Sequence, residues 1–160
     1  MRAAFRRRVV EPVLAILRQG TSPRQLAIAL ALGAVIGAFP VLGTTTALCA
    51  IVAVALRVNL VAIQAANYAA YPLQLVLLIP FVRMGERVSG ARPLPLSLSG
   101  IVSLFDAGFA HALATLSGSL ARAVLAWALV APVAFALLYP ALHAVLRRTT
   151  AARAAASRAA

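Results

Sequence analysis

The chain has 160 residues, 63% of them hydrophobic and only 11% charged, with a mean hydropathy of +0.96. A water-soluble domain of this size has no interior large enough to hide so much apolar surface, so the composition places the chain in a lipid bilayer. Fifteen basic residues, all arginine, against three acidic ones give a net charge of +12, and their position at the ends of apolar segments suits anionic phospholipid headgroups and argues against nucleic acid as a partner.

Residues 1–24 form a basic amphipathic N-terminal segment. Phe5, Val9, Val13 and Ile16/Leu17 recur at three- and four-residue steps, with the arginines mostly elsewhere around the helix, which predicts an interfacial helix that Pro12 kinks or divides. Arg6, Arg7 and Arg8 resemble the start of a signal peptide, but Glu11 and Pro12 interrupt the apolar stretch after them and no small-residue cleavage site is seen, so this segment is expected to be retained. Ser22-Pro23-Arg24-Gln25 then reads as a helix start, with Ser22 as N-cap, Pro23 at the first helical position and Gln25 closing a capping box.

The expected membrane domain spans residues 25–143. Gln25 to Leu56 is a run of 32 residues without a charge. As one straight helix it measures about 48 Å against a hydrocarbon core of about 30 Å, yet two full crossings need about 40 residues. A break in the middle resolves the mismatch. Pro40 lacks a helical donor, Phe39 before it is pushed out of the α region and Gly43 permits a turn, which predicts half-helices over about 26–38 and 44–56 that enter the bilayer and return. Asn59 to Val82 repeats the pattern, uncharged with Gln64, Asn67 and Gln74 inside it and Tyr71-Pro72 near its middle. The two aromatic-proline breaks leave an internal duplication and independent proline kinks both open. Ala29, Gly33 and Gly37 make one ridge of small residues and Ala62, Ala66 and Ala70 another, suited to close helix packing.

Arg83, Glu86, Arg87 and Arg92 form a polar junction, and the PLPLSLS stretch after it reads as a linker or interfacial turn. Residues 100–117 are expected to be helical. Asp106 and His111 would lie about 140° apart around that helix, too far to act as a paired relay. Ala123 to Leu142, with Trp127, Pro132 and Tyr139, is the best ordinary transmembrane helix, and residues 144–160 form an Ala/Arg-rich tail expected to be loosely ordered or interfacial. If both broken segments re-enter, the N-terminal arginines, Arg57 and the Arg83–Arg92 junction share one side. That side is cytoplasmic by the positive-inside rule, and an outward crossing by 100–118 and a return by 123–142 leave only Arg122 misplaced. The expected fold class is an all-α integral membrane protein: two broken or re-entrant helical hairpins, about two further membrane helices and the basic interfacial N-terminal helix. The expected localisation is the inner membrane, multi-pass, with the N-terminus cytoplasmic.

The order Ser22-Pro23, Ala27 to Gly37, Pro40, Gly43, a threonine run, Leu56-Arg57-Val58-Asn59, Asn67, Pro72 and Gly85 after a basic residue resembles the bacterial membrane-domain family DUF2062. The likeness covers residues 20 to 143 and includes Leu116-Ser117-Gly118-Ser119-Leu120. It implies a bacterial membrane protein without an assigned biochemical activity. Some relatives carry the domain beside glycosyltransferase-like modules, which implies work on envelope or lipid-linked glycans. Here Tyr71-Pro72 stands where the family usually has Asn-Pro, with Asn67 four residues earlier.

No nucleophile-base-acid set can be assembled from Glu11, Glu86, Asp106, His111 and His143, and no phosphate-binding glycine loop, dinucleotide fingerprint or metal motif is present; an enzyme, a cofactor and a metal are not expected. Cys49 reads as a small buried hydrophobe. What remains is the middle of the membrane. Helix restarts near Thr44 and near Pro72 would aim free amides at a guest, and helix N-termini favour anionic groups. The candidate residues are Pro40, Gly43, Thr44, Thr45, Thr46, Asn67, Tyr71, Pro72 and Gln74. One reading is handling or translocation of an anionic lipid or small solute. The other is a structural or partner-binding module that supports an envelope glycan or lipid enzyme, with the threonine hydroxyls merely satisfying carbonyls freed by Pro40. Homo-oligomerisation stays open.

Overall fold

A computed structural model describes residues 22–158, so the amphipathic N-terminal helix expected before Gly20 lies outside the described residues. All regular structure among them is helical: α1 Pro23–Gly37, α2 Thr45–Leu56, α3 Leu60–Ala69, α4 Tyr71–Ser89, α5 Leu98–Asp106 and α6 Phe109–Arg158. α1 begins as its sequence dictates. The Ser22 hydroxyl accepts the Gln25 amide at 3.2 Å, the Gln25 side chain accepts the Ser22 amide at 3.4 Å, and Pro23 sits in the first turn.

The chain breaks between Gly37 and Thr45, where proline and glycine called for it. Gly43 adopts φ +83°, a left-handed conformation that other L-residues resist, and so turns the chain toward α2. Cys49 and Ala53 of α2 then share one buried cluster with Leu26, Ala27 and Ala29 of α1. α2 ends on Arg57, the one non-glycine residue among those described with positive φ, at φ 52°. A side chain there costs about 1 kcal/mol, so Arg57→Gly is expected to raise the melting temperature by a few degrees in a thermal scan.

The two ridges of small residues meet face to face. A Cβ on Gly33 would strike the Ile63 carbonyl and come within 2.8 Å of Ala66 Cβ, and one on Gly37 would come within 2.7 Å of Ala70 Cβ. α1 and α3 therefore pack backbone against backbone, the contact that such ridges permit. α6 covers α1 from another side. Leu146 belongs to the α1 cluster, with Tyr139 and Leu142 packed against it. α4 also packs on α6, where Phe81 and Val82 meet Ala123 and Ala126, and Gly85 lies against the backbone of Arg122.

Three expectations are corrected. The second broken segment is a bend of 61° at Ala70, not a reversal. A helix does restart at Pro72, which falls in the first turn of α4 where a missing donor costs nothing, but the Gln74 amide is already bonded to the Ala70 carbonyl and is not free to face a guest. Residues 100–117 are not one helix, because Gly108, at φ 118°, separates α5 from α6 and leaves Asp106 and His111 on different helices. Nor do 100–118 and 123–142 form an outward and a returning crossing. α6 runs unbroken through Gly118 and Arg122 and carries the Ala/Arg-rich tail onward as helix to Arg158. One glycine among good helix formers costs only about 1 kcal/mol, and the Ser117 and Ser119 hydroxyls donate back to the Ala114 and Thr115 carbonyls instead of capping a new start.

Within α6, Phe109–Thr150 is long and apolar enough to cross a membrane, and α3 with α4 passes the same test as a bent pair.

Candidate functional site

Around the break after α1, side chains from three other helices donate to backbone carbonyls. Gln74 of α4, 1% exposed, donates its amide to the Phe39 carbonyl at 2.6 Å. Trp127 of α6 donates its indole N–H to the Val35 carbonyl at 3.0 Å, and its ring meets Phe39 edge to face with centroids 4.9 Å apart. Gln64 of α3 donates to the Thr46 carbonyl in the first turn of α2 at 2.9 Å. Its own carbonyl oxygen accepts from Asn67 at 3.3 Å, and Asn67 is buried beside Gly37.

The expected site residues thus divide. Pro40, Thr45, Asn67 and Gln74 are buried around the break. Gly43 and Thr44 lie on the exposed turn, where the Thr44 hydroxyl donates to the Val41 carbonyl at 2.9 Å, and Thr46 is exposed on α2, while Tyr71 and Pro72 are exposed at the bend and do not join the cluster. Two contributors were not among the candidates. Gln64 carried a signal, three residues before Asn67 in an apolar run. Trp127 carried none, since its partner is 92 residues away.

The cluster supplies amide and indole donors and no acid, base or nucleophile. One acceptor is left over: the buried Oε1 of Gln74 has no hydrogen-bond partner among the described residues. The Phe39 carbonyl fixes which end of the Gln74 amide faces it, so this oxygen cannot trade places with its nitrogen. Among the described residues no three His, Cys, Asp or Glu side chains gather as a metal site would require.

A second polar cluster lies at the far end of α4. Glu86, 3% exposed, accepts the Leu94 amide at 2.6 Å and pairs with Arg83 at 2.9 Å, which ties the loop after α4 back onto the helix. Arg122 of α6 stands near enough to act on the same carboxylate. Beside it a cleft of about 420 Å³ is lined by Arg83, Glu86, Arg87, Gly90, Ala91 and Pro93.

A sequence model of the family described as an uncharacterized protein conserved in bacteria, DUF2062, matches residues 6–155. The chain belongs to that family. No curated protein and no solved structure matches it.

Proposed function

We propose that this DUF2062 protein is a multi-pass protein of the bacterial inner membrane, with its N-terminus in the cytoplasm, serving as a non-catalytic structural module for an envelope enzyme. Two features support the membrane part. Large apolar side chains lie open on the outer faces, Val54 at 77% exposure and Leu137 at 69% among them, and only 11% of the most apolar window of α6 is buried. Pro132 and Pro140 inside α6 also suit lipid, where helices tolerate proline better than in water. The arginine distribution supports the cytoplasmic N-terminus.

The observation that carries the structural reading is the closure of the break by protein. The carbonyls of Val35, Phe39 and Thr46 each accept a side-chain donor from another helix, Val35 in addition to the Ala38 amide, so protein rather than a guest holds the carbonyls of the break. The second reading, binding or translocation of an anionic lipid or small solute, draws on the unpartnered Gln74 Oε1, an acceptor that suits a hydroxyl or amine donor better than an anion.

Reconstituted wild-type protein is expected to move no anionic lipid in either orientation. It should stay with the membrane through alkaline carbonate extraction and co-purify with an enzyme of envelope glycan or lipid synthesis. Gln74→Leu strips the donor from the Phe39 carbonyl and should lower stability by about 1–3 kcal/mol in a detergent thermal scan, without any flux to lose. Flux in the wild type that Gln74→Leu and Thr45→Val abolish, with both variants folded, would turn the assignment to transport.

A further inference from the structure

We propose that the cleft at the C-terminal end of α4 seats the phosphate of an anionic phospholipid, with Arg83 and Arg87 as its ligands and the outer face of α4 as the track for its acyl chains. Arg83 and Arg87 are four residues apart and so project from one helix face, both into the same cleft of about 420 Å³. Continuing that face toward the N-terminus by a step of four and then one of three gives Ile79 and Val76, 55% and 69% exposed. One stripe therefore offers apolar surface and then two guanidinium groups, the order in which a phospholipid offers chains and headgroup.

The charges agree. Glu86 is the one carboxylate in the cleft, and it is buried and already engaged by Arg83 and the Leu94 amide. Arg87 is exposed and makes no ion pair among the described residues. With Arg122 close by and Arg92 on the following loop, arginines outnumber that carboxylate four to one. The amides of Gly90 and Ala91 are bonded to the Arg87 and Glu86 carbonyls, and a helix C-terminus repels anions, so recognition falls to the guanidinium forks, which match phosphate geometry. Glu86 keeps the rim of the cleft in place by holding Leu94 and the loop.

The site deepens the membrane reading and rests on it, but the two fail separately. Release of the chain by carbonate extraction would remove the membrane reading; a titration in detergent reads headgroup binding with no bilayer present. The full chain in a neutral maltoside detergent is titrated with short-chain phosphatidylglycerol, with the diacylglycerol of the same chains and with inorganic phosphate. Phosphatidylglycerol is expected to bind saturably, inorganic phosphate to compete more weakly, and diacylglycerol to bind at least about tenfold more weakly than the phospholipid. Arg87→Gln, which breaks no hydrogen bond or ion pair among the described residues, should weaken phosphatidylglycerol about tenfold at an unchanged melting temperature. Ile79→Ser should weaken the lipid and leave phosphate unaffected. Binding of phosphatidylglycerol that is the same in wild type and Arg87→Gln overturns the proposal. So does diacylglycerol binding as tightly as the phospholipid, or inorganic phosphate matching it, since the first removes the arginines' role and the second the track's.

Discussion

Gly33→Leu is expected to abolish the folded state. The Gly33 Cα faces the Ile63 backbone with no room even for a methyl group, and neither partner can yield, because the obstacle is the α3 main chain rather than the end of a flexible side chain. Inserting a side chain into a packed contact costs about 1–3 kcal/mol where neighbours can shift, and more where they cannot. Four carbon atoms driven between α1 and α3 must separate the two helices along their whole contact, Gly37 against Ala70 included. The variant should elute as aggregate from size-exclusion chromatography in detergent and lose its cooperative melt. Ala55→Leu, which adds three carbons at an exposed position of α2, should melt like the wild type and so control for the added bulk. A Gly33→Leu protein that stays monodisperse with a wild-type melt would show that α1 and α3 are not in backbone contact.

Trp127→Ala ranks second. It removes the indole from the edge of Phe39 and the donor from the Val35 carbonyl, and it opens a cavity where α6 crosses the end of α1. Truncating a packed tryptophan costs about 3–5 kcal/mol, and losing the indole's hydrogen bond, which leaves the Val35 carbonyl with the Ala38 amide alone, adds to that. Trp127→Phe separates the two losses. It keeps most of the packing and gives up only the hydrogen bond, so it should recover more than half of the stability lost in the alanine variant. The check is denaturant or thermal unfolding followed by the Trp127 fluorescence for the wild type and by helical circular dichroism for all three, since this is the chain's one tryptophan.

The parts of this structure that were legible in the sequence are those encoded locally. Ser22-Pro23-Arg24-Gln25 specifies a helix start within four residues, and the break at 38–44 comes from Pro40 and Gly43 in a run too long for one crossing. The small-residue ridges were legible as periodicity, although periodicity alone does not say that they face each other. The two proline breaks differ in extent: around Pro40 the chain leaves helix from Ala38 to Thr44, whereas before Pro72 only Ala70 interrupts it and the helix restarts at once. Arg122 and Gly118 read as a turn between two crossings because polarity was weighed above helix propensity, and the alanine and leucine around them won. Of the site, Gln74 and Asn67 stood out as amides in apolar runs. Their bonding partners depend on how α1, α3 and α4 cross, and no local pattern reports that.

The Trp127–Val35 bond also sets a clock. With 92 residues between donor and acceptor, and synthesis at about 5–20 residues per second, the Val35 carbonyl emerges some 5–18 s before its partner exists. α3, whose ridge is only about 30 residues downstream of that of α1, arrives well ahead of α6. The nascent chain must therefore pass through a stage in which α1 is paired with α3 while the end of α1 is still uncovered, and ribosomes stalled before codon 127 should hold that stage long enough for a cysteine probe at position 35 to be labelled.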